Sequence, residues 1–257
     1  PLRDAWRTLA RRHPVRIYTL HRVTWLCRDG RTVSPDTFRR QMEYVQRRHD
    51  VVSLDRAIAL LAQGTRLRRP VAAVTFDDGY ESVATAAEPT LTSLGMVAAC
   101  FVCPDIVSVG GTFAHDATCV SRDWLRVMNW PALRTLHKIG WHVGSHTSSH
   151  ARVSEIHGDA LLRELWNPRA ALRDEVAPVP VAFAYPFGGR ADVTPGAVEL
   201  ARKCGYVAVL ADFGGENAPN AADKFFLNRI DIGGGHDPLM WRAMIDGLDF
   251  NRWRARR

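Results

Sequence analysis

Seven short apolar runs recur along the chain, at 15–20, 71–76, 97–102, 140–145, 181–185, 206–211 and 225–232. Each has the length of a buried strand rather than of a helix. Between them the apolar positions shift to helical spacing, which predicts helices over 34–49, 53–63, 80–94, 121–139, 159–176 and 195–204. In the first of these, Ser34 offers an N-cap oxygen and Pro35 a first-turn residue that needs no N–H partner. Strands alternating with helices imply an α/β protein with a mostly parallel sheet covered on both faces, either open or closed into a barrel.

Composition agrees with that picture. The 257 residues are 46% hydrophobic and 24% charged, enough for a substantial core in one barrel-sized domain or two smaller ones. No uninterrupted apolar run reaches the ~18 residues of a membrane-spanning helix. Pro1-Leu2-Arg3-Asp4 and the residues after them lack the apolar stretch of a signal peptide, so the expected compartment is the cytoplasm unless a leader preceded Pro1, which would make it secreted or periplasmic. The net charge of +7 and the arginines at Arg11-Arg12 and in 252–257 join no nucleic-acid motif. They read as solvated surface charge, with peripheral contact to an acidic polymer or membrane left open.

Five cysteines at irregular spacings do not make a disulfide framework. Cys100 and Cys103 form a CxxC, but inside an apolar run that reads as a strand, where positions three apart face opposite ways. Core packing is the reading for both.

The polar residues that change the picture stand just after the strands. Asp77-Asp78-Gly79 follows the run at 71–76, His146 follows 140–145, and Pro186-Phe187-Gly188 follows 181–185. The C-terminal edge of a parallel sheet is where α/β proteins assemble their sites. Asp78, His146 and His150 would supply the three ligands of a zinc-type centre, with the i, i+4 spacing placing both imidazoles on one face of a helical turn. Asp77, beside a ligand but not one itself, would take a proton from the attacking water. Ten histidines give roughly a third of one such pair by chance, so neither signal is specific alone. His115-Asp116 lies in a glycine-rich loop and is placed to line the substrate entrance, with Asp116 the binding candidate of the two. His13, His49, His137, His142 and His157 read as surface or packing residues.

Taken together, Thr75-Phe76-Asp77-Asp78-Gly79, His146-Thr147-Ser148-Ser149-His150 and Phe183-Ala184-Tyr185-Pro186-Phe187-Gly188 resemble the three ordered motifs of the polysaccharide deacetylase family, the NodB-like carbohydrate esterases, with similarity over about 16–232. The resemblance implies a distorted parallel (β/α) barrel in a single domain, with an N-terminal extension at 1–14 and a basic tail at 248–257. It implies a hydrolase that uses one divalent metal ion, most often zinc, to remove acetyl groups from an N-acetylated sugar or polysaccharide. By position, Asp78, His146 and His150 would hold the metal and Asp77 would be the base. The Phe187 N–H would bind the oxyanion, and Tyr185 and Pro186 would border the substrate.

Two positions depart from the family pattern. Ala184 stands where an arginine often pairs with the catalytic aspartate, and Arg229 is the candidate replacement. No late Leu-x-His motif supplies a general acid. Tyr18-Thr19-Leu20-His21 instead resembles the opening of relatives with permuted motif order, as in biofilm poly-N-acetylglucosamine deacetylases, which makes His21 the acid and His236 its rival. Competing readings are an amide or cyclic-imide hydrolase, a non-catalytic carbohydrate binder suggested by Ala184, and, more remotely, a magnesium-dependent phosphotransferase lacking its glycine loop.

Overall fold

The computed structural model describes residues 13–27, 29–116, 125–177, 181–219, 221–234 and 237–248. Both arginine clusters, Cys119 and His236 lie outside them. The strands are β1 (Val15–Leu20), β2 (Arg22–Val23), β3 (Thr32–Val33), β4 (Asp50–Val51), β5 (Val71–Phe76), β6 (Ala99–Val102), β7 (His142–Ser145), β8 (Phe183–Ala184), β9 (Val209–Ala211), β10 (Leu227–Asn228) and β11 (Ile230–Asp231). The helices are α1 (Pro35–Arg48), α2 (Leu54–Ala62), α3 (Glu88–Ser93), α4 (Pro104–Val109), α5 (Trp130–Lys138), α6 (Gly158–Glu175), α7 (Pro195–Lys203) and α8 (Pro238–Ile245).

Eight strands follow the order β10-β9-β8-β7-β6-β5-β1-β11, all pairs parallel, with β4 added beside β5. The two ends of that order, β10 and β11, flank a single residue, Arg229. One chain segment therefore bonds both edges: Leu227 and Asn228 pair with β9, Ile230 and Asp231 with β1. The result is a nearly closed, distorted (β/α) barrel.

Period-two alternation sorts the strand residues into two cores. Tyr18, Leu20, Ala72, Val74, Phe76, Cys100 and Val102 pack outward against helix residues such as Phe38, Leu133 and Leu165. Ile17, Ala73, Ala99, Phe101, Ala182, Ala184, Ala208, Leu210 and Leu227 fill the inside, with Leu54, Ile58 and Leu61 of α2 joining them. The interior is built largely of alanine because the barrel is narrow. At Gly144 even a Cβ would stand 2.5 Å from the Phe101 ring. Cys100 and Cys103 indeed divide between different clusters, and both are free thiols raised above the ordinary cysteine range by burial.

Three expected elements change. The helix over 80–94 begins as a π-helical turn at Val83–Ala87, where Glu88 N–H donates to Val83 O, before α3. Pro89 has no N–H to continue an α ladder, so the widened turn precedes it. The helix over 121–139 starts only at Trp130, where Asn129 accepts from Ala132 N and Pro131 fixes the first turn; 121–124 lie outside the described residues. The 146–150 segment is not a helical turn but a loop with left-handed Thr147 (φ 61°) and His150 (φ 66°). Two short helices, α4 and α8, have no predicted counterpart, since six and eight residues hold too little periodic signal.

Candidate metal and acid-base site

The same alternation that fills the barrel aims its last inward positions at one cavity. Continuing each inward series past the strand end gives His21 from β1, Asp77 from β5, His146 from β7, Asp212 from β9, and Arg229 and Asp231 from the closing segment. All of them line a cavity of about 400 Å³ at the C-terminal edge, together with Asp78, His115, His150, Tyr185, Phe187 and Arg31. The convergence is a product of strand parity.

Asp77 and Arg229 form a bidentate pair, with Nη1 to Oδ1 and Nη2 to Oδ2 both at 2.7 Å and both residues almost wholly buried. Arg229 Nη1 also reaches Thr75 Oγ1 at 3.3 Å. The guanidinium thus meets Asp77 from the closing segment rather than from β8, whose Ala184 is buried in the inner core. Burial would raise the Asp77 carboxyl, but the Arg229 charge and then His146 outweigh it and hold Asp77 below its usual range.

Asp78 is the opposite case. It is 1% exposed, and neither carboxylate oxygen has a hydrogen-bond partner among the described residues. Its neighbours are imidazoles: His150 Nε2 is 3.3 Å and His146 Nε2 3.6 Å from Oδ1, and His115 Nε2 is 3.3 Å from Oδ2. Burial opposes its ionisation, yet the His115 and His150 contacts hold it well below the ordinary value. His146 Nδ1 faces Ala184 O at 2.9 Å, so that nitrogen carries the proton and leaves the Nε2 lone pair free. Burial lowers His146 to about 4 against the pull of Asp77, so the ring is neutral at neutral pH. A buried carboxylate without donors, ringed by imidazole nitrogens, has the chemistry of a divalent cation site. Among the described residues, Asp78, His115 and His150 have donor atoms all within 4.8 Å of one another.

Backbone strain collects here too. The four non-glycine residues with positive φ among the described residues are Asp78 (70°), Thr147, His150 and Phe187 (64°). Holding ordinary residues there costs on the order of 1–3 kcal/mol each, which the surroundings must offset. Part of that support comes from Glu164 of α6, which accepts from Ser148 N at 2.8 Å and from Ser149 N at 3.0 Å. Phe187 is half-exposed, with the Arg152 guanidinium 3.8 Å from its ring centroid, and its N–H has no protein partner among the described residues.

Asp77, Asp78, His21, His146, His150, Phe187, Arg229 and Tyr185 therefore meet at one cavity. Asp116 and Pro186 do not line it. Asp116 is 1% exposed, paired with Arg22 at 2.7 Å and accepting from Tyr80 Oη at 2.9 Å, so its oxygens are consumed within the protein. Pro186 is buried beneath the turn that Gly188 N closes onto its carbonyl. Arg31, Asp212 and Asp231 line the cavity without a sequence prediction, Glu164 braces the 148–149 backbone behind it, and His115, expected only at the substrate entrance, faces Asp78. For Asp212 and Asp231 the inward parity of β9 and the closing segment was the available signal, for His115 only its glycine-rich loop, and Glu164 carries none. The neighbouring Asp231, after burial itself, pushes Asp212 above the carboxylate range.

A family model described as polysaccharide deacetylase matches residues 64–209. Among solved structures, the chain resembles IcaB from Ammonifex degensii with a TM-score of 0.74 and 23% identity, over 91% of this chain and 96% of that one. It resembles a de-N-acetylase from Aggregatibacter actinomycetemcomitans with a TM-score of 0.72 and 15% identity, over 91% and 99%. The Streptococcus pyogenes deacetylase PplD, solved in complex with acetate, follows with 0.69 and 19%, over 86% and 92%. At these identities the likeness establishes the barrel. No curated protein matches by sequence.

Proposed function

Because this chain belongs to the polysaccharide deacetylase family, we propose that it hydrolyses the acetamide of an N-acetylated amino sugar or its polymer, releasing acetate and leaving the free amine. The observation that carries this reading is the division of labour between two adjacent carboxylates: Asp77 locked by Arg229, Asp78 unpartnered among imidazoles. Asp78, His146 and His150 would hold one divalent ion, zinc fitting the nitrogen-rich set best, and such an ion polarises a carbonyl and acidifies water.

The residues divide the remaining work. Asp77, kept ionised by Arg229, accepts the proton of the attacking water, and the bidentate pair fixes which way its oxygens face. The Phe187 N–H donates to the oxyanion as it forms; a donor of this kind is worth on the order of 100-fold in rate or more. Its left-handed φ is the conformational cost of aiming that N–H outward. His21, inward at the end of β1, protonates the departing nitrogen, so the acid and the base stand on neighbouring strands. Tyr185 and the half-exposed Phe187 ring border the sugar.

The test is acetate release from a panel of N-acetylglucosamine oligomers, a peptidoglycan fragment and cyclic amides. Acetate from the sugars and no turnover of the cyclic amides is expected. Asp77→Asn should lower that rate by at least about a thousandfold while metal content stays unchanged. Wild-type-like turnover by Asp77→Asn would overturn the assignment.

A further inference from the structure

Two imidazoles at the site, His21 and His115, lie outside the three family motifs, and only His115 has no role in the reaction proposed above. His115 belongs to the 110–116 loop after α4, a segment that opens with Gly110 in the left-handed region and closes with a 3-10 turn at Ala114–Asp116. Its ring stacks on Phe113, with centroids 5.1 Å apart and planes 13° apart, and lies 5.2 Å from the His150 ring. That packing is a built wall, since Phe113 is buried and also meets His150 edge-on at 5.1 Å. His115 is fixed with Nε2 facing Asp78 Oδ2, the carboxylate oxygen that neither His146 nor His150 approaches most closely.

We propose that His115 is a fourth protein ligand, making the centre a site of one aspartate and three histidines in which Nε2 of His115 joins Asp78, His146 and His150; this rests on the metal reading above. Bonds of about 2.0–2.2 Å in a five-coordinate arrangement, which keeps one position for water, put neighbouring ligand atoms roughly 3.0–3.6 Å apart. The nitrogen-to-Asp78 separations are 3.3 Å for His115, 3.3 Å for His150 and 3.6 Å for His146. His115 stands as near Asp78 as His150 does and nearer than His146, and among the described residues Asp78, His115 and His150 are the set whose donor atoms all lie within 4.8 Å of one another. Hydrogen bonds do not account for the cluster, because among the described residues neither Asp78 oxygen has a correctly directed donor.

The competing arrangement uses His115 Nε2–H as a donor to Tyr80 Oη, 3.0 Å away. The Tyr80 hydroxyl proton is already directed to Asp116, itself held by Arg22. A chain of Arg22, Asp116 and Tyr80 then stands behind His115 in either arrangement, which explains why Asp116 is buried although it adjoins the site. What separates the two is whether the nitrogen carries a proton or a metal bond.

The full-length protein, with cadmium and histidine both labelled by spin-half isotopes, answers this by NMR, since nitrogen couples to cadmium only through a direct bond. Three coupled imidazoles in wild type and two in His115→Ala are expected. Zinc affinity of His115→Ala and of His115→Gln should fall at least about tenfold, with the circular dichroism of both unchanged. Two coupled imidazoles in wild type, with His115 uncoupled, would overturn the fourth ligand and leave the deacetylase reading standing. No coupled imidazole at all would overturn the metal site itself, and both readings with it.

Discussion

The two ends of the barrel carry the same residue types and use them in opposite ways. At the floor, His142 opens β7, with Nδ1 2.9 Å from Asp55 Oδ1 and Nε2 accepting from Ala182 N at 3.1 Å. At the rim, four residues on and on the same inward face, His146 has one nitrogen satisfied and the other facing an unpartnered carboxylate. Asp55 is largely exposed, Asp78 almost wholly buried. A histidine-aspartate neighbour is therefore structural or functional according to which polar atoms are left over, and not according to its composition. The four left-handed non-glycine residues all belong to the rim as well, so strain and unpaired polarity coincide there.

The comparison is broken most sharply by truncating one histidine at each end. His146→Ala should weaken zinc binding by about a thousandfold or more, whereas His142→Ala should leave zinc affinity within about twofold, both read by competition with a chromophoric chelator. If His142→Ala weakened zinc binding as much as His146→Ala, the two ends would not be distinct. Arg229→Met removes one partner of a buried pair and should lower unfolding stability by about 3–5 kcal/mol in urea titration. Adding Ala184→Arg to that variant returns a guanidinium from β8, and should recover part of both stability and turnover.

The smallest effect lies outside the rim. His49 is buried beside Arg16, whose Nη1 is 2.8 Å from its Nε2, and burial first, then the Arg16 charge, lowers it from 6.5 to about 4. Its folded pKa is depressed, so between those values the unfolded chain binds more protons and stability rises as pH rises. The contribution is complete above pH 6.5, is lost as pH drops toward 4, and is on the order of 3 kcal/mol. Thermal melts of His49→Gln should show a flatter profile over that window; an unchanged slope would remove His49 as its source.

Strand parity made most of this legible. The seven apolar runs became barrel strands, and residues placed just past them, His21, Asp77 and His146, point inward because the alternation continues one step beyond the ladder, as does Arg229 within the closing segment. The pairing of Arg229 with Asp77 is foreshadowed only by the alanine at 184, because a missing arginine asks for another cation. Loop geometry was not legible. The i, i+4 histidines suggest a helical turn, but left-handed Thr147 and His150 bring their rings to 5.1 Å by a different path. His115 sits in a loop without periodicity, and Asp116 beside it reads as open to substrate because sequence does not reveal that Arg22 and Tyr80 occupy it. Glu164 is one polar residue among several on α6, and its grip on Ser148 and Ser149 is purely tertiary.

The central claim is that the rim hydrolyses an acetamide only with a divalent ion held at Asp78. Its most direct test is zinc titration into chelator-treated protein while acetate release from N-acetylglucosamine oligomers is followed. Turnover should be near zero without metal, rise linearly and saturate at about one equivalent, and stay at baseline throughout in Asp78→Ala. Undiminished acetate release after chelation, or zinc-dependent release by Asp78→Ala equal to wild type, would contradict it.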